Sequence, residues 1–177
     1  AHVDVKKLAG IPPGGGWKIH GRAKADHHRQ TRAGYRYLHT CLDDRTRLVY
    51  SEILDDEQGG TAAGFWRRAH AWFAARGVRF ERCLTDNGAC YRSRLWAQAL
   101  ADTGSVHKRT RPYRPQTNGK VERFHRILLE EWAYGHEYRS EADRAAAYPD
   151  WLHHYNHHRG HTALKGKSPA DRVPNLS

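Results

Sequence analysis

An α/β architecture, a mixed five-stranded sheet flanked by helices, is what this sequence predicts, and three observations predict it. The first three apolar segments are short and strand-like, with a polar turn between the second and third. Two later strand-like segments are each reached through a stretch of helical periodicity. Helical segments then close the chain. Strands joined by hairpins pair antiparallel and strands reached through helices pair parallel, so the sheet is mixed.

Each element has its own local reason. Residues 2–8 alternate as a strand, with Val3 and Val5 on one face and Asp4 on the other. Residues 9–34 are punctuated by Pro12-Pro13-Gly14-Gly15-Gly16 and then turn basic, which reads as a long loop insertion, functional or mobile. Tyr35 to Leu42 and Leu48 to Leu54 are strands, joined by Asp43-Asp44-Arg45-Thr46-Arg47 as a hairpin turn. Ala62, Phe65, Trp66, Ala69, Trp72 and Phe73 recur at helical spacing, and Gly77 stands where that helix ends. Phe80 to Thr85 is the next strand. Ser93 caps a second helix with Leu95, Trp96, Ala99 and Leu100 facing inward, stopped at Gly104. Val106 to Thr110 is the fifth strand. Pro112 and Pro115 bracket a loop through Gln116-Thr117-Asn118-Gly119, and a third helix starts near Lys120 with Val121, Phe124 and Leu128 buried. A last helix covers about Glu141 to His158, kinked or divided at Pro149.

Composition narrows the function. The 177 residues suffice for one domain with a real core and are short for two. Only 38% are hydrophobic, but six Trp, nine Tyr and four Phe supply the large apolar surface a core needs. A formal charge of +11 selects a polyanionic partner, nucleic acid first. Cys41, Cys83 and Cys90 lack Cys-x-x-Cys spacing, which points to a reduced, cytoplasmic setting, with Cys83 and Cys90 as small buried hydrophobes. No apolar run nears the roughly 18 residues of a membrane span, so no membrane partner is expected. The chain has no Met and opens directly on a strand, which reads as a domain cut from a longer protein.

The acids carry the chemistry. Glu122 is the only acidic side chain between Asp102 and Glu130, among Lys108, Arg109, Arg111, Arg114, Lys120, Arg123 and Arg126. A phosphate-binding stripe has no use for a carboxylate unless that carboxylate holds a divalent cation against the phosphate. Asp86 follows a strand and precedes Asn87-Gly88, at the sheet edge where α/β folds place ligands. Asp4 lies on the first strand. Each acid has an ordinary explanation too: Asp86 as a turn residue, Glu122 as a helix-dipole partner. Asp43 and Asp44 compete with Asp4 for a role, but the hairpin turn accounts for them. Spacing alone leaves the matter open.

Asp4 on a first strand, Leu84-Thr85-Asp86-Asn87-Gly88, and the run Arg111-Pro-Tyr-Arg-Pro-Gln-Thr-Asn-Gly-Lys-Val-Glu-Arg-Phe-His-Arg126 resemble the catalytic core of bacterial insertion-sequence transposases and retroviral integrases. Residues 87–121, thirty-five in all, separate Asp86 from Glu122 and match that family's acid spacing. Tyr155-Asn156-His157-His158-Arg159-Gly160-His161 with Ser168-Pro169-Ala170 resembles the transposase branch, to which this chain looks closer than to the viral enzymes. The resemblance implies an RNase H-like fold over residues 1–165, with a tail at 166–177 and an upstream DNA-end-binding domain missing here. It implies that Asp4, Asp86 and Glu122 are the catalytic and metal-binding triad for two Mg²⁺ or Mn²⁺ ions. The implied chemistry is hydrolysis at transposon ends, then attack of the freed 3′-hydroxyl on target DNA, without a covalent protein–DNA intermediate. The implied partners are double-stranded DNA and further copies of the chain, at least a dimer in the full-length protein, in the bacterial cytoplasm at the nucleoid. The insertion at 9–34 departs from the family pattern.

Asn118, Lys120, Arg123 and Arg126, with Arg111 and Arg114, are the expected DNA contacts beside the triad; a solvated basic face is the plainer alternative. His125, three residues after Glu122, could orient a water or phosphate, and helix packing explains it equally well. The His153–His161 cluster is read as packing and surface histidines, because no Cys/His pairs bracket a loop as in a zinc site. Two other functional classes compete: a non-catalytic nucleic-acid-binding module of the same fold, and an RNase H-like nuclease that cuts hybrids without joining ends.

Overall fold

The computed structural model describes residues 1–21, 33–110 and 119–173. Its sheet has five strands in the order β3-β2-β1-β4-β5: β1 (His2–Ala9), β2 (Tyr35–Leu42), β3 (Val49–Leu54), β4 (Arg82–Thr85) and β5 (Val106–Arg109). β1, β2 and β3 pair antiparallel, with Asp4 opposite Thr40 and Thr40 opposite Ser51. β4 pairs parallel with both β1 and β5. The mixed sheet is therefore the one expected. The 43–47 turn is closed by Asp43, whose Oδ2 accepts from both N and Oγ1 of Thr46 at 2.8 and 2.6 Å.

The two faces of the sheet build two cores, as a side-chain period of two requires. Val3 and Cys41 face α2 (Gly59–Ala74) and α3 (Arg94–Asp102), where Phe65, Trp66, Phe73 and Trp96 are fully buried. The odd-numbered β1 residues thus look one way. Leu8, Leu38 and Leu42 look the other way, against α4 (Gly119–Leu128) and α6 (Tyr148–His157), where they meet Phe124, Leu128 and Tyr155. Asp4, two pleats from Leu8, shares this second face.

The structure corrects several local expectations. Leu95 is 59% exposed, because the buried stripe of α3 is Trp96, Ala99 and Leu100, and Leu95 lies a helical step outside it. Among the described residues of the 9–34 insertion lies one helical turn, α1 (Trp17–His20). The last helix is two: α5 (Glu141–Ala146) ends at Ala147 and α6 restarts at Tyr148, with Pro149 in its first turn, where a missing N–H leaves no bond unmade. Strand β4 starts at Arg82 and β3 at Val49, both shorter than expected. β3 is an edge strand, and Asn156 of α6 closes its start: Nδ2 donates to Val49 O at 2.8 Å and Oδ1 accepts from Val49 N at 3.0 Å. No helix among the described residues is long and apolar enough to cross a membrane.

Candidate active site

The register of β1 against β4 brings the first two acids together. His2 is level with Leu84 in a parallel pair, so two residues further on Asp4 is level with Asp86. Level residues on parallel strands project to the same face, and neighbouring strands lie about 4.8 Å apart. Asp86 stands one residue beyond the end of β4. Its turn is held from two sides: Oδ1 accepts the Gly88 N–H at 2.8 Å, and the Asn87 side chain donates to Thr110 O at 3.0 Å beside β5. A Cβ on residue 88 would sit 2.9 Å from that same Oδ1, which is why the motif ends in glycine.

Glu122 lies exposed in the first turn of α4, the helix that packs over the Asp4 face. The Asp4 carboxyl is strongly perturbed. Burial pushes its carboxyl up to about 7, the charge of Asp86 adds to this and Glu122 adds further, while the Val5 N–H (2.9 Å from Oδ1) and Lys6 work against it. The three carboxylates thus share one electrostatic neighbourhood.

Beneath them lies a polar row: Ser51 Oγ and Thr40 Oγ1 are 3.3 Å apart, and Thr40 Oγ1 is 3.3 Å from His125 Nε2. His125 Nδ1 lies 3.6 Å from Asp4 Oδ2. Burial, with Lys6 nearby, lowers the His125 imidazole to about 3, so it is neutral in use. Of its two sequence readings, the packed one describes this ring: it spaces α4 from the sheet and borders Asp4.

Among the described residues, no group of three or more His, Cys, Asp or Glu side chains is arranged to hold a metal ion. The donor chemistry nevertheless fits a divalent cation. All three groups are hard oxygen donors, and the mutual repulsion that burdens Asp4 is what such a cation would relieve. Asp4 and Asp86 each spend one oxygen on a backbone N–H that fixes the carboxylate, which leaves Oδ2 of each for a ligand.

The expected cations divide. Lys120 is bonded to Asp44, which also takes His2 Nε2 at 2.7 Å. Arg123 and Arg126 are exposed on α4 and form no ion pair among the described residues. Arg111, Arg114 and Asn118 lie outside the described residues. Sequence reasoning passed over Asp44 as a mere turn residue and did not single out Lys6 or Arg47. Lys6 had a signal in being two residues from Asp4 on the same face of an alternating strand.

Comparison with known proteins shows the family and the fold. The integrase core domain family matches residues 17–115, and a second integrase core domain family matches residues 103–169. A putative integrase of Spiroplasma virus SpV1 is 26% identical over 80% of this chain and 42% of its own length. A retrovirus-related Pol polyprotein from a Nicotiana tabacum transposon is 29% identical over 58% of this chain and 8% of its own length. A Pol-related polyprotein of a mouse intracisternal A-particle is 31% identical over 52% of this chain and 10% of its own length. The chain therefore spans less than half the length of each of these relatives.

Among solved structures, a simian T-cell lymphotropic virus intasome matches with TM-score 0.68 at 19% identity, over 98% of this chain and 53% of that one. The HTLV-2 integrase catalytic core domain in complex with magnesium matches with TM-score 0.65 at 14% identity, over 97% of this chain and 93% of that one. The BIV integrase core matches with TM-score 0.56 at 22% identity, over 78% of this chain and 85% of that one. These likenesses establish the RNase H-like fold. With one family covering residues 17–115, more than half of the 177, the chain belongs to the integrase core domain family.

Proposed function

We propose that this chain is the catalytic core of a transposase that cuts and joins DNA through Asp4, Asp86 and Glu122 with Mg²⁺ or Mn²⁺, two ions in the working complex. The observation that carries the reading is the parallel register that sets Asp4 level with Asp86, together with the upward push on the Asp4 carboxyl from Asp86 and Glu122. Cations held by these carboxylates would polarise a phosphate oxygen and ease deprotonation of the attacking hydroxyl. The rest falls to the chain itself. Asp4 gives up its proton as the site loads, the Gly88 N–H holds Asp86 in place, and Glu122 approaches from the exposed start of α4. Arg123 and Arg126, with Lys120, Arg111, Arg114 and Asn118, draw the DNA backbone across the acids.

In the first step, water oxygen bonds to phosphorus and the phosphodiester bond to the transposon 3′-oxygen breaks. In the second, that 3′-oxygen bonds to a target phosphorus and displaces the target's 3′-oxygen. No protein nucleophile is needed, and the cysteines are poor ones: burial raises the thiols of Cys83 and Cys90 to about 12 and 11. The reading treats residues 1–165 as the core, with 9–34 as an insertion. The whole protein would add a DNA-end-binding domain, assemble at least as a dimer on double-stranded DNA, and work in the bacterial cytoplasm.

A non-catalytic DNA-binding module is the second reading, favoured by the absence of an assembled three-residue metal group among the described residues. Mn²⁺ titration followed by electron paramagnetic resonance separates the two. The enzyme reading expects bound Mn²⁺ in the wild type, lost in Asp86→Asn, and metal-dependent joining of labelled duplex ends. A wild type that binds DNA but takes up no Mn²⁺ and joins nothing would establish the second reading instead.

A further inference from the structure

The end of α6 gathers histidines that take no part in the proposed cutting and joining. His153 and His157 stand four residues apart on one face of the helix, and their rings stack with centroids 4.6 Å apart. His158 is the first residue past the helix. With φ of −124° it leaves the helical path, and its ring turns back onto His153, centroids 5.1 Å apart. The Nε2 atoms of His153 and His158 lie 3.2 Å from each other. Both side chains are exposed and His157 is half-buried, so ions in solution reach the pair.

Two imidazoles that meet nitrogen to nitrogen have few options. A direct hydrogen bond needs a proton on one Nε2 and a lone pair on the other. A metal ion uses both lone pairs at once. At metal–nitrogen distances of about 2.0–2.1 Å, nitrogens 3.2 Å apart subtend roughly 100° at the metal, which suits tetrahedral or octahedral coordination. Each Nδ1 then carries its ring's proton. The surroundings tolerate a cation. The C-terminal end of a helix carries partial negative charge. His157 is pushed below its ordinary value, first by burial and then by His153, His158 and Arg76, with Asp171 working against them. It is thus an uncharged ring that steadies His153 by stacking and does not repel a metal.

We infer that His153 and His158 bind one divalent transition-metal ion, Zn²⁺, Ni²⁺ or Cu²⁺, through their Nε2 atoms, with water in the remaining positions. Imidazole nitrogen suits these ions, whereas Mg²⁺ takes oxygen, so this site differs in chemistry from the three acids. Among the described residues no third such side chain completes the set, which makes it an open site and not a closed structural centre. The sequence reading looked for Cys/His pairs bracketing a loop, and this pair instead joins a helical turn to the residue that leaves it. A bound ion staples the last turn of α6, the turn whose Asn156 closes the start of β3. The inference is independent of the function proposed above, and either stands if the other fails.

The test is calorimetric titration of Zn²⁺ into this chain with Mg²⁺ in excess, beside His153→Gln, His158→Gln and Asp86→Asn. The expected result is one ion per chain in the wild type and in Asp86→Asn, with affinity at least roughly tenfold weaker in each histidine variant. Zn²⁺ at about a hundred times its Kd should raise the wild-type Tm by roughly 5–10 °C. That rise should vanish in both histidine variants, whose Tm without metal should match the wild type because the side chains are exposed. Cu²⁺ in place of Zn²⁺ should show nitrogen hyperfine coupling by electron paramagnetic resonance, lost in the same two variants. No Zn²⁺ uptake by the wild type, or wild-type affinity in either histidine variant, would overturn the site. Binding lost in Asp86→Asn would place the ion at the acids and overturn it equally.

Discussion

The Asp4 carboxylate faces His125 across 3.6 Å, yet the ring gives it no counter-charge. Burial, with Lys6 nearby, drops the imidazole to about 3, so His125 is neutral wherever Asp4 ionises. The Asp4 carboxyl, buried and beside Asp86, is raised from 3.8 to about 7. The folded state therefore holds this proton more tightly than the unfolded chain. Stability is lost as pH rises from about 4 to about 7, and stays lost above that. In metal-free buffer, Asp4→Asn should stabilise the protein at pH 8 by about 1–3 kcal/mol, after discounting for the open side of the site. At pH 4 it should change little. Thermal melts at the two pH values in EDTA read this directly, and a variant less stable than wild type at pH 8 would remove the basis for a strained acid.

Glu122 makes a separate prediction, because it is exposed and contributes little to packing. Glu122→Gln keeps size and hydrogen bonding while removing the charge. Tm should move by no more than the equivalent of about 0.5 kcal/mol. End joining should fall by at least roughly a hundredfold if Glu122 holds metal as proposed. DNA binding without metal should be equal or slightly tighter, since one repulsion of phosphate is gone. Joining at near wild-type rate would show that Glu122 is no part of the centre.

What could be read beforehand follows from which interactions are local. Alternation within β1 already set Asp4 opposite Val3 and Val5, and the Asp86-Asn87-Gly88 turn carried its own reason, a backbone N–H that approaches its own acid. The level placement of Asp4 and Asp86 is a pairing between strands some eighty residues apart in sequence, and no local pattern contains that register. The family likeness, not the spacing, pointed there. Leu95 was misplaced because its neighbours define a stripe one step narrower than hydrophobicity suggests. Lys120 was read as a free DNA contact because its partner, Asp44, looked fully explained by the turn.

That Asp44 contact is itself testable. Burial alone would raise the Asp44 carboxyl, but hydrogen bonds from Lys120 and His2 hold it at about 2. Asp44 therefore competes with phosphate for Lys120. Asp44→Asn should strengthen DNA binding by roughly threefold at low salt, with the gain fading as salt screens exposed charges. The carboxylate is half exposed, so the accompanying loss of stability should be small. Affinity measured over a salt series decides: a gain independent of salt, or a loss, would mean that Lys120 does not meet phosphate.

Asn156 carries the clearest structural stake in the Tyr155–His161 stretch. Its amide serves both backbone groups of Val49, the first residue of the edge strand β3, and the side chain is only 4% exposed. Water cannot replace it without opening α6 from the sheet. Asn156→Ala leaves a buried donor and a buried acceptor unpaired, a loss of about 2–4 kcal/mol. For a chain of this size that is roughly 5–15 °C in Tm. Asn156→Asp keeps the acceptor but turns the donor into a second lone-pair oxygen facing the Val49 carbonyl. It should be as damaging at pH 8 and partly recovered at pH 4, where the protonated acid can donate again. Melts of both variants at the two pH values separate this from simple loss of volume, because Asn156→Ala has no group to titrate. If the Asp variant shows no recovery at low pH, the two hydrogen bonds to Val49 are not what holds the edge strand to α6.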